Sequence, residues 1–252
     1  MRIKPFLTAI GLLAVTFNFN VQAALITYNR NGVDLVYSSV SDVTWIKDAN
    51  LLGTLFSTQG FNSVVDAIIA ANPIVYDTPN FYDGNDGDYN ISAADFNSSI
   101  LGNNLGGTTW FGARAFVGYL NSIAYGGSDQ WRLPSAGSNP QFGYNQTGAE
   151  LGQLFYDELG GVAGKSIPNT ATFDHEQATG YWSGTEYAPA PNNAWVFATF
   201  SGFHNTNPKN SLTYAWAVSP GQVTEVPLPG AACSILSGLL GLLCLKRRGQ
   251  AG

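Results

Sequence analysis

The densest group of hard oxygen ligands in the chain is Asp83-Gly84-Asn85-Asp86-Gly87-Asp88, with Asp77 ahead of it and Asp95 behind. Carboxylate and amide oxygens alternating with glycine suit a calcium ion, which takes about six to eight oxygens from a flexible loop. The spacing is not that of an EF-hand: counted from Asp83, position six is Asp88 where Gly is needed, and position twelve is Ala94 where an acid is needed. Two readings stand: a non-EF calcium site on Asp83, Asn85, Asp86 and Asp88, or an exposed turn-forming loop that holds no ion. Calcium is the one cofactor the sequence raises.

Histidine is scarce, with His175 between Asp174 and Glu176, and His204 in an Asn-rich stretch. A zinc site needs about three or four ligands at recognisable spacing, and these two histidines have neither the spacing nor a cysteine to help them. They read as solvated or supporting side chains. Paired carboxylates for hydrolysis could be drawn from Asp157, Glu158, Asp174, Glu176 and Glu186, but sequence cannot set two of them at a glycosidase separation. Ser183 follows Trp182 without the Gly-x-Ser-x-Gly elbow of a serine nucleophile. No catalytic residue is assigned, and the chain is read as non-enzymatic.

Aromatic rings are the remaining resource. Trp and Tyr faces beside Asn side chains match the apolar C–H faces and hydroxyls of sugars. Trp131, Trp195 and Trp216 sit in strand or motif positions and are expected in the core. The ligand-binding candidates are Trp182, Tyr187, Phe203, Asn205 and Asn207.

These groups have to be positioned by a chain of 252 residues that is 45% hydrophobic and 11% charged, with 29 Gly and 12 Pro. That composition belongs to a folded protein rather than a disordered one. Five of the 11 basic residues lie at the extreme ends, so residues 24–225 set six Lys/Arg against all 17 Asp/Glu, a balance of −11. Such a surface repels phosphate backbones, which excludes nucleic acid as a partner.

The N-terminus carries Arg2 and Lys4, an apolar run over 6–17, and Val21-Gln22-Ala23, the three regions of a secretory signal peptide over residues 1–23 cleaved after Ala23. The C-terminus runs Val226-Pro227-Leu228-Pro229-Gly230, then an apolar stretch over 231–245, then Lys246-Arg247-Arg248. At about 1.5 Å per residue that stretch spans roughly 22 Å, a short transmembrane helix completed by Pro229-Gly230 and a snorkelling Lys246, its basic end cytoplasmic. Both cysteines, Cys233 and Cys244, fall inside this stretch, so the domain between has no disulfide and no thiolate chemistry.

Within 24–225, alternation around Asn31-Gly32 predicts a hairpin over 25–46. A helix is expected over 63–71, capped by Asn62 or Ser63, burying Val64, Val65, Ile68 and Ile69 and stopped by Pro73. A second is expected over 109–124, with Ala113, Phe116, Leu120 and Ile123 on one stripe and Thr108 or Thr109 as cap. A third starts at the capping box Thr147-Gly148-Ala149-Glu150 and buries Leu151, Leu154, Phe155 and Leu159. Strands follow over 194–200 and 214–218, with Gly202, 205–208 and Asn210 read as the loop between them. The order predicts a single α+β domain with helices packed on an antiparallel sheet.

Two resemblances refine this. The Pro-x-Pro-like motif, short apolar helix and terminal Arg cluster resemble a PEP-CTERM sorting signal over 226–248, with Leu228 where Glu is usual. It implies an exosortase partner, transient anchoring in the inner membrane, cleavage near Val226, Pro227 and Pro229, and delivery to the cell surface or extracellular matrix. In the domain itself, Thr44-Trp45-Ile46-Lys47-Asp48-Ala49-Asn50, Trp131-Arg132-Leu133-Pro134-Ser135, Glu150-Leu151, Tyr181-Trp182-Ser183-Gly184-Thr185 and Ala194-Trp195-Val196 resemble, in order, the signatures of the Lcl C-terminal domain family.

That resemblance implies an exported, adhesin-like protein related to the C-type-lectin-like and sulfatase-modifying-factor folds. The sulfatase-modifying enzymes use a cysteine pair, which this domain lacks. The family's basic-flanked terminal element is replaced by Ala217-Val218-Ser219-Pro220, which with the acidic balance argues against a sulfated ligand. Arg132 is expected to bond backbone or a carboxylate near the Leu-Pro turn. The expected function is non-catalytic binding of exopolysaccharide; the alternatives are a glycan-acting hydrolase using two of the late carboxylates, or a self-assembling matrix subunit.

Overall fold

A computed structural model describes residues 25–76, 78, 80–82, 87–97 and 105–224. The cleavage site at Ala23, the calcium candidates Asp83, Asn85 and Asp86, and Val226, Pro227, Pro229, Lys246, Arg247 and Arg248 of the tail lie outside the described residues. No helix among the described residues is long and apolar enough to cross a membrane.

Strands β1 (Leu25–Arg30) and β2 (Val33–Ser38) form the expected hairpin. Asn31 and Gly32 both adopt positive φ, 51° and 79°, as a two-residue hairpin turn of the matching twist demands. After β3 (Val43–Ile46) come two helices where one was expected, α1 (Leu51–Gln59) and α2 (Phe61–Ala71), turning at Gly60 with φ 87°. Asn50 caps α1, its side chain accepting the Gly53 amide at 3.3 Å. The α2 face buries Val64, Val65 and Ile68 as expected, while Ile69 is half-buried.

Short pairs follow, β4 (Ile74–Val75) with β5 (Tyr89–Asn90) and β6 (Phe96–Asn97) with β7 (Gly107–Thr108). Helix α3 (Trp110–Ser122) starts where the sequence says, with the Thr109 hydroxyl accepting the Gly112 amide at 3.1 Å. Ile123 ends outside it, 49% exposed. Helix α4 (Glu150–Gln153) is one turn, continued by a π-helical turn at Leu154–Glu158. Strands β8 (Gly180–Glu186), β9 (Asn193–Ala198) and β10 (Phe203–Pro208) make a sheet in the order β10-β9-β8. β11 (Val218–Pro220) returns to pair with β3, giving β1-β2-β3-β11. All these pairings are antiparallel. The residues 205–208, expected as loop, are the edge strand β10: Asn and Pro disfavour a central strand but are tolerated at an edge.

The α+β architecture is thus as the sequence predicts, with one elaboration: both faces of the sheets are covered. Leu35 and Ile46 face the core that α1, α2 and α3 close, together with Trp182 and Val196 of the second sheet. Their neighbours Val36 and Trp45 point the other way, into a second core with Leu154, Phe155, Tyr181, Phe197 and Trp216. The two-residue period of each strand sends alternate side chains to the two cores. Trp131, Trp195 and Trp216 are all buried, as expected. The indoles of Trp131 and Trp216 donate to the Tyr125 and Ile46 carbonyls, both at 2.8 Å.

Candidate functional site

The Trp-Arg-Leu-Pro segment leaves β11 through paired backbone bonds: the Arg132 amide donates to the Val218 carbonyl at 2.8 Å, and the Val218 amide returns one at 2.9 Å. Beyond it, residues 136–149 form a loop rich in Gly, Asn, Gln and Ser. Its base is locked by Arg132, whose two terminal nitrogens each donate to one Glu150 carboxylate oxygen at 2.7 Å. Glu150 also accepts the Ser135 amide at 2.7 Å. The expected capping box is therefore corrected. Ala149 is the N-cap and makes no side-chain cap bond, Thr147 is exposed, and Glu150 is committed to Arg132 and Ser135. The Arg132 guanidinium is held above its ordinary range, first by the hydrogen bond to Glu150.

The loop's far part crosses onto the edge of the second sheet. Gly143 and His204 exchange backbone bonds of 3.1 and 2.8 Å, adding a bridge to β10. Phe142 then stands over β9 with its ring 4.8 Å from Trp195 and 5.5 Å from Tyr187; Tyr144 meets Phe203 edge-on at 5.0 Å. Phe142 is 48% and Tyr144 44% exposed, so these are rings presented to solvent on a rigid support. No sequence signal marked Phe142 or Tyr144, because nothing in the loop's composition says that its rings will meet those of β8–β10.

Two hollows open beside the rings. One, of about 240 Å³, is walled by the loop and His204; the other, of about 420 Å³, by Phe142, Thr185, Glu186, Tyr187, Pro189 and Trp195. They share Gly137, Ser138, Pro140 and Gln141. On the other side of Thr185 lies a cleft of about 790 Å³, between the α2–β4 turn, α3 and the 131–135 segment. Its polar walls are mostly engaged: Asn121 holds both the amide and the carbonyl of Trp131, and Asn72 donates to the Ala115 carbonyl. Arg114 is its exposed cation, lying 5.0 Å over the Trp110 ring.

Of the residues expected to bind ligand, the structure brings Tyr187 to the Phe142–Trp195 group beside the hollows, whereas Phe203, of the same parity on β10 as Asn205 and Asn207, meets Tyr144 and lines neither hollow. Trp182 is a correction. It is fully buried, its indole donating to the Thr108 carbonyl at 3.0 Å, because its position opposite Val196 turns it into the helix-side core. Asn205 and Asn207 are on β10 but alternate with His204, which puts them on the opposite face from Trp195 and the hollows.

The carboxylates raised for hydrolysis do not gather. Asp174 bonds Lys47 at 2.5 Å, and Glu186 bonds the buried Lys209 at 2.7 Å. Burial raises the carboxyls of Glu158 and Glu176, and Asp157 is exposed. Glu186 alone among the five lines any of these three hollows. His175 lies by Asp48, 3.1 Å away, far along the chain from His204, which is on β10.

Among the described residues no cluster of three or more His, Cys, Asp or Glu is placed to hold a metal ion. Asp88 is half-buried. Asp95, behind the calcium candidates, is buried and saturated by Tyr89, Ser92 and Thr109.

No curated protein and no solved structure matches the chain. Residues 35–219 match the sequence profile of the Lcl C-terminal domain, a span from the second strand of the hairpin to β11 that contains the Arg132–Glu150 lock, the loop and the aromatic face. The chain belongs to the Lcl C-terminal domain family.

Proposed function

We propose that this is an exported surface or extracellular-matrix protein that binds exopolysaccharide without catalysis, using the aromatic face of β8–β10 and its hollows. The observation that carries the reading is the half-exposed pair Phe142 and Tyr187 lining a hollow with amide and hydroxyl side chains, with a second ring pair, Tyr144 and Phe203, two residues farther along the same loop. Rings offer apolar faces to sugar C–H groups, and polar walls offer donors and acceptors to hydroxyls. A loop fixed at its base by Glu150 and at β10 by Gly143 supports binding, because little ordering is left to do when ligand arrives. Since no two of the candidate carboxylates share one of these hollows, binding without hydrolysis is favoured over a glycosidase.

Delivery rests on the termini. The signal peptide starts export, and the PEP-CTERM-like tail holds the protein in the inner membrane until an exosortase cuts near Val226, Pro227 and Pro229 and sends it to the surface or matrix. Expression with and without the exosortase, followed by terminal mass and cell fraction, tests this half: a tail kept in both hosts means a permanent anchor. For the binding half, purified protein is run against a polysaccharide panel with and without calcium. Phe142→Ala and Tyr187→Ala are expected to weaken retention about tenfold each while leaving the melting temperature near that of the parent. Retention of no polysaccharide in either condition ends the binding proposal.

A further inference from the structure

His204 is fully buried, and its imidazole lies on Trp195 with ring centres 4.5 Å apart. Its Nδ1 is 3.1 Å from the Gln141 carbonyl oxygen. A carbonyl only accepts, so Nδ1 carries the proton and Nε2 is left with a lone pair. That Nε2 is buried and has no hydrogen-bond partner among the described residues. Burial also pushes the imidazole down to about 4, so the ring is neutral at physiological pH. A buried acceptor without a donor is unfavourable and calls for an occupant.

The 240 Å³ hollow that His204 lines gives that occupant its chemistry. Its other walls are Ala136, Gly137, Ser138, Asn139, Pro140, Gln141, Gln146, Gly148 and Ala149, with no charged side chain among them. A metal ion would find one nitrogen and no carboxylate. An anion would face a lone pair. What fits is a neutral group bearing an O–H donor, with further hydroxyls for the Asn139, Gln141 and Gln146 amides. At about 30 Å³ per water the space equals roughly eight waters, the room of one sugar ring rather than of a chain. We infer that this hollow is a subsite for one neutral sugar unit, whose hydroxyl donates to His204 Nε2 while neighbouring units lie on the exposed rings. The inference rests on the polysaccharide reading and names the class of sugar: uncharged, with a free hydroxyl.

The test uses methyl glycosides of glucose, galactose and mannose, followed through the imidazole nitrogen signals of His204 by NMR on the full mature protein at neutral pH. A saturable shift of Nε2 with at least one glycoside is expected. Affinity for that glycoside should fall about tenfold in His204→Phe, which keeps a ring on Trp195, and measurably in Gln146→Ala, which leaves the buried ring in place. If the Nε2 signal does not move with any glycoside, the hollow holds water only and the subsite is wrong. If polysaccharide and glycosides bind the parent and both variants equally, the subsite is again wrong while the aromatic-face reading survives. If the parent retains no polysaccharide yet the Nε2 signal shifts saturably, the subsite stands and the broader reading falls.

Discussion

Glu150→Gln separates two explanations of one residue. As the last member of a capping box, Glu150 is interchangeable with Gln, and the substitution would be silent. In the structure its two oxygens take two Arg132 nitrogens and the Ser135 amide, all at 2.7 Å. Gln keeps one oxygen and turns an NH2 toward a guanidinium that can only donate, so one charge-assisted bond is lost, the other Arg132 bond keeps only the donor's charge, and the Ser135 bond becomes neutral. A hydrogen bond to a charged group contributes about 1.5–3 kcal/mol. Arg132 is 39% exposed on its side chain against 16% for Glu150, so water partly compensates the guanidinium.

The expected loss is about 2–3 kcal/mol, which for a domain of this size lowers the melting temperature by about 5–10 °C. Differential scanning calorimetry on parent and variant reads this directly. A double-mutant cycle with Arg132→Met should return a coupling of about 2 kcal/mol. Thr147→Ala, which removes the other half of the supposed box, should be neutral. A melting temperature for Glu150→Gln within about a degree of the parent, or a drop in Thr147→Ala of equal size, would refute the ion-pair account.

Buried neutral, His204 binds its proton only near pH 4 when folded and near its ordinary 6.5 when unfolded. The unfolded state therefore takes up protons first as pH falls from about 6.5 to 4, and folded stability should decline by roughly 3 kcal/mol over that window. Glu158 and Glu176, raised by burial, act with the opposite sign. The loss is accordingly read as the difference between parent and His204→Phe in urea melts at several pH values, and parallel curves would contradict it. Lys209→Met removes the cation bonded to Glu186 at 2.7 Å and lying 4.6 Å over Trp110, and should destabilise by about 2–3 kcal/mol in the same melts. Gly152→Ala puts a methyl group against the Gln146 carbonyl; soluble yield and melting temperature should both fall, by more than for Ala at the unobstructed Gly148.

Where local chemistry decided the outcome, the sequence was readable. Asn31-Gly32 names its own turn, Thr109 names the start of α3, and Arg132 in a short turn asks for a carboxylate, which Glu150 supplies. The misses have physical causes. Helix α1 buries Leu51, Leu52, Gly53 and Phe56, too short and too Gly- and Thr-marked a run to show helical period. Strand β10 has the composition of a loop and is a strand because β9 offers it a partner and its outer edge takes the loop at Gly143. Trp182 looked available because a Trp-Ser-Gly motif gives no sign of which face its strand will bury. The site was legible only in part: Tyr187 and Phe203 stood out, but Phe142, Tyr144 and His204 come together through contacts between residues some 40 to 60 positions apart.

The first sheet has one further consequence, a mechanical one. Leu25 pairs with Ser38, Ser38 with Val43, and Val43 with Pro220, so the first described residue and the end of the last strand sit in one row across the sheet. Three strand spacings separate them by about 14 Å. A pull on the C-terminal side meets Val223, whose amide donates to the Thr44 hydroxyl, and Gly221, which bonds Asp42 and Thr44, and then loads β11. From Val218 it crosses two backbone bonds to Arg132, and from there the ion pair to Glu150 at the base of the loop. A tether on that end and a polymer held by the loop would therefore be joined by a short load path through β11 and the Arg132–Glu150 pair.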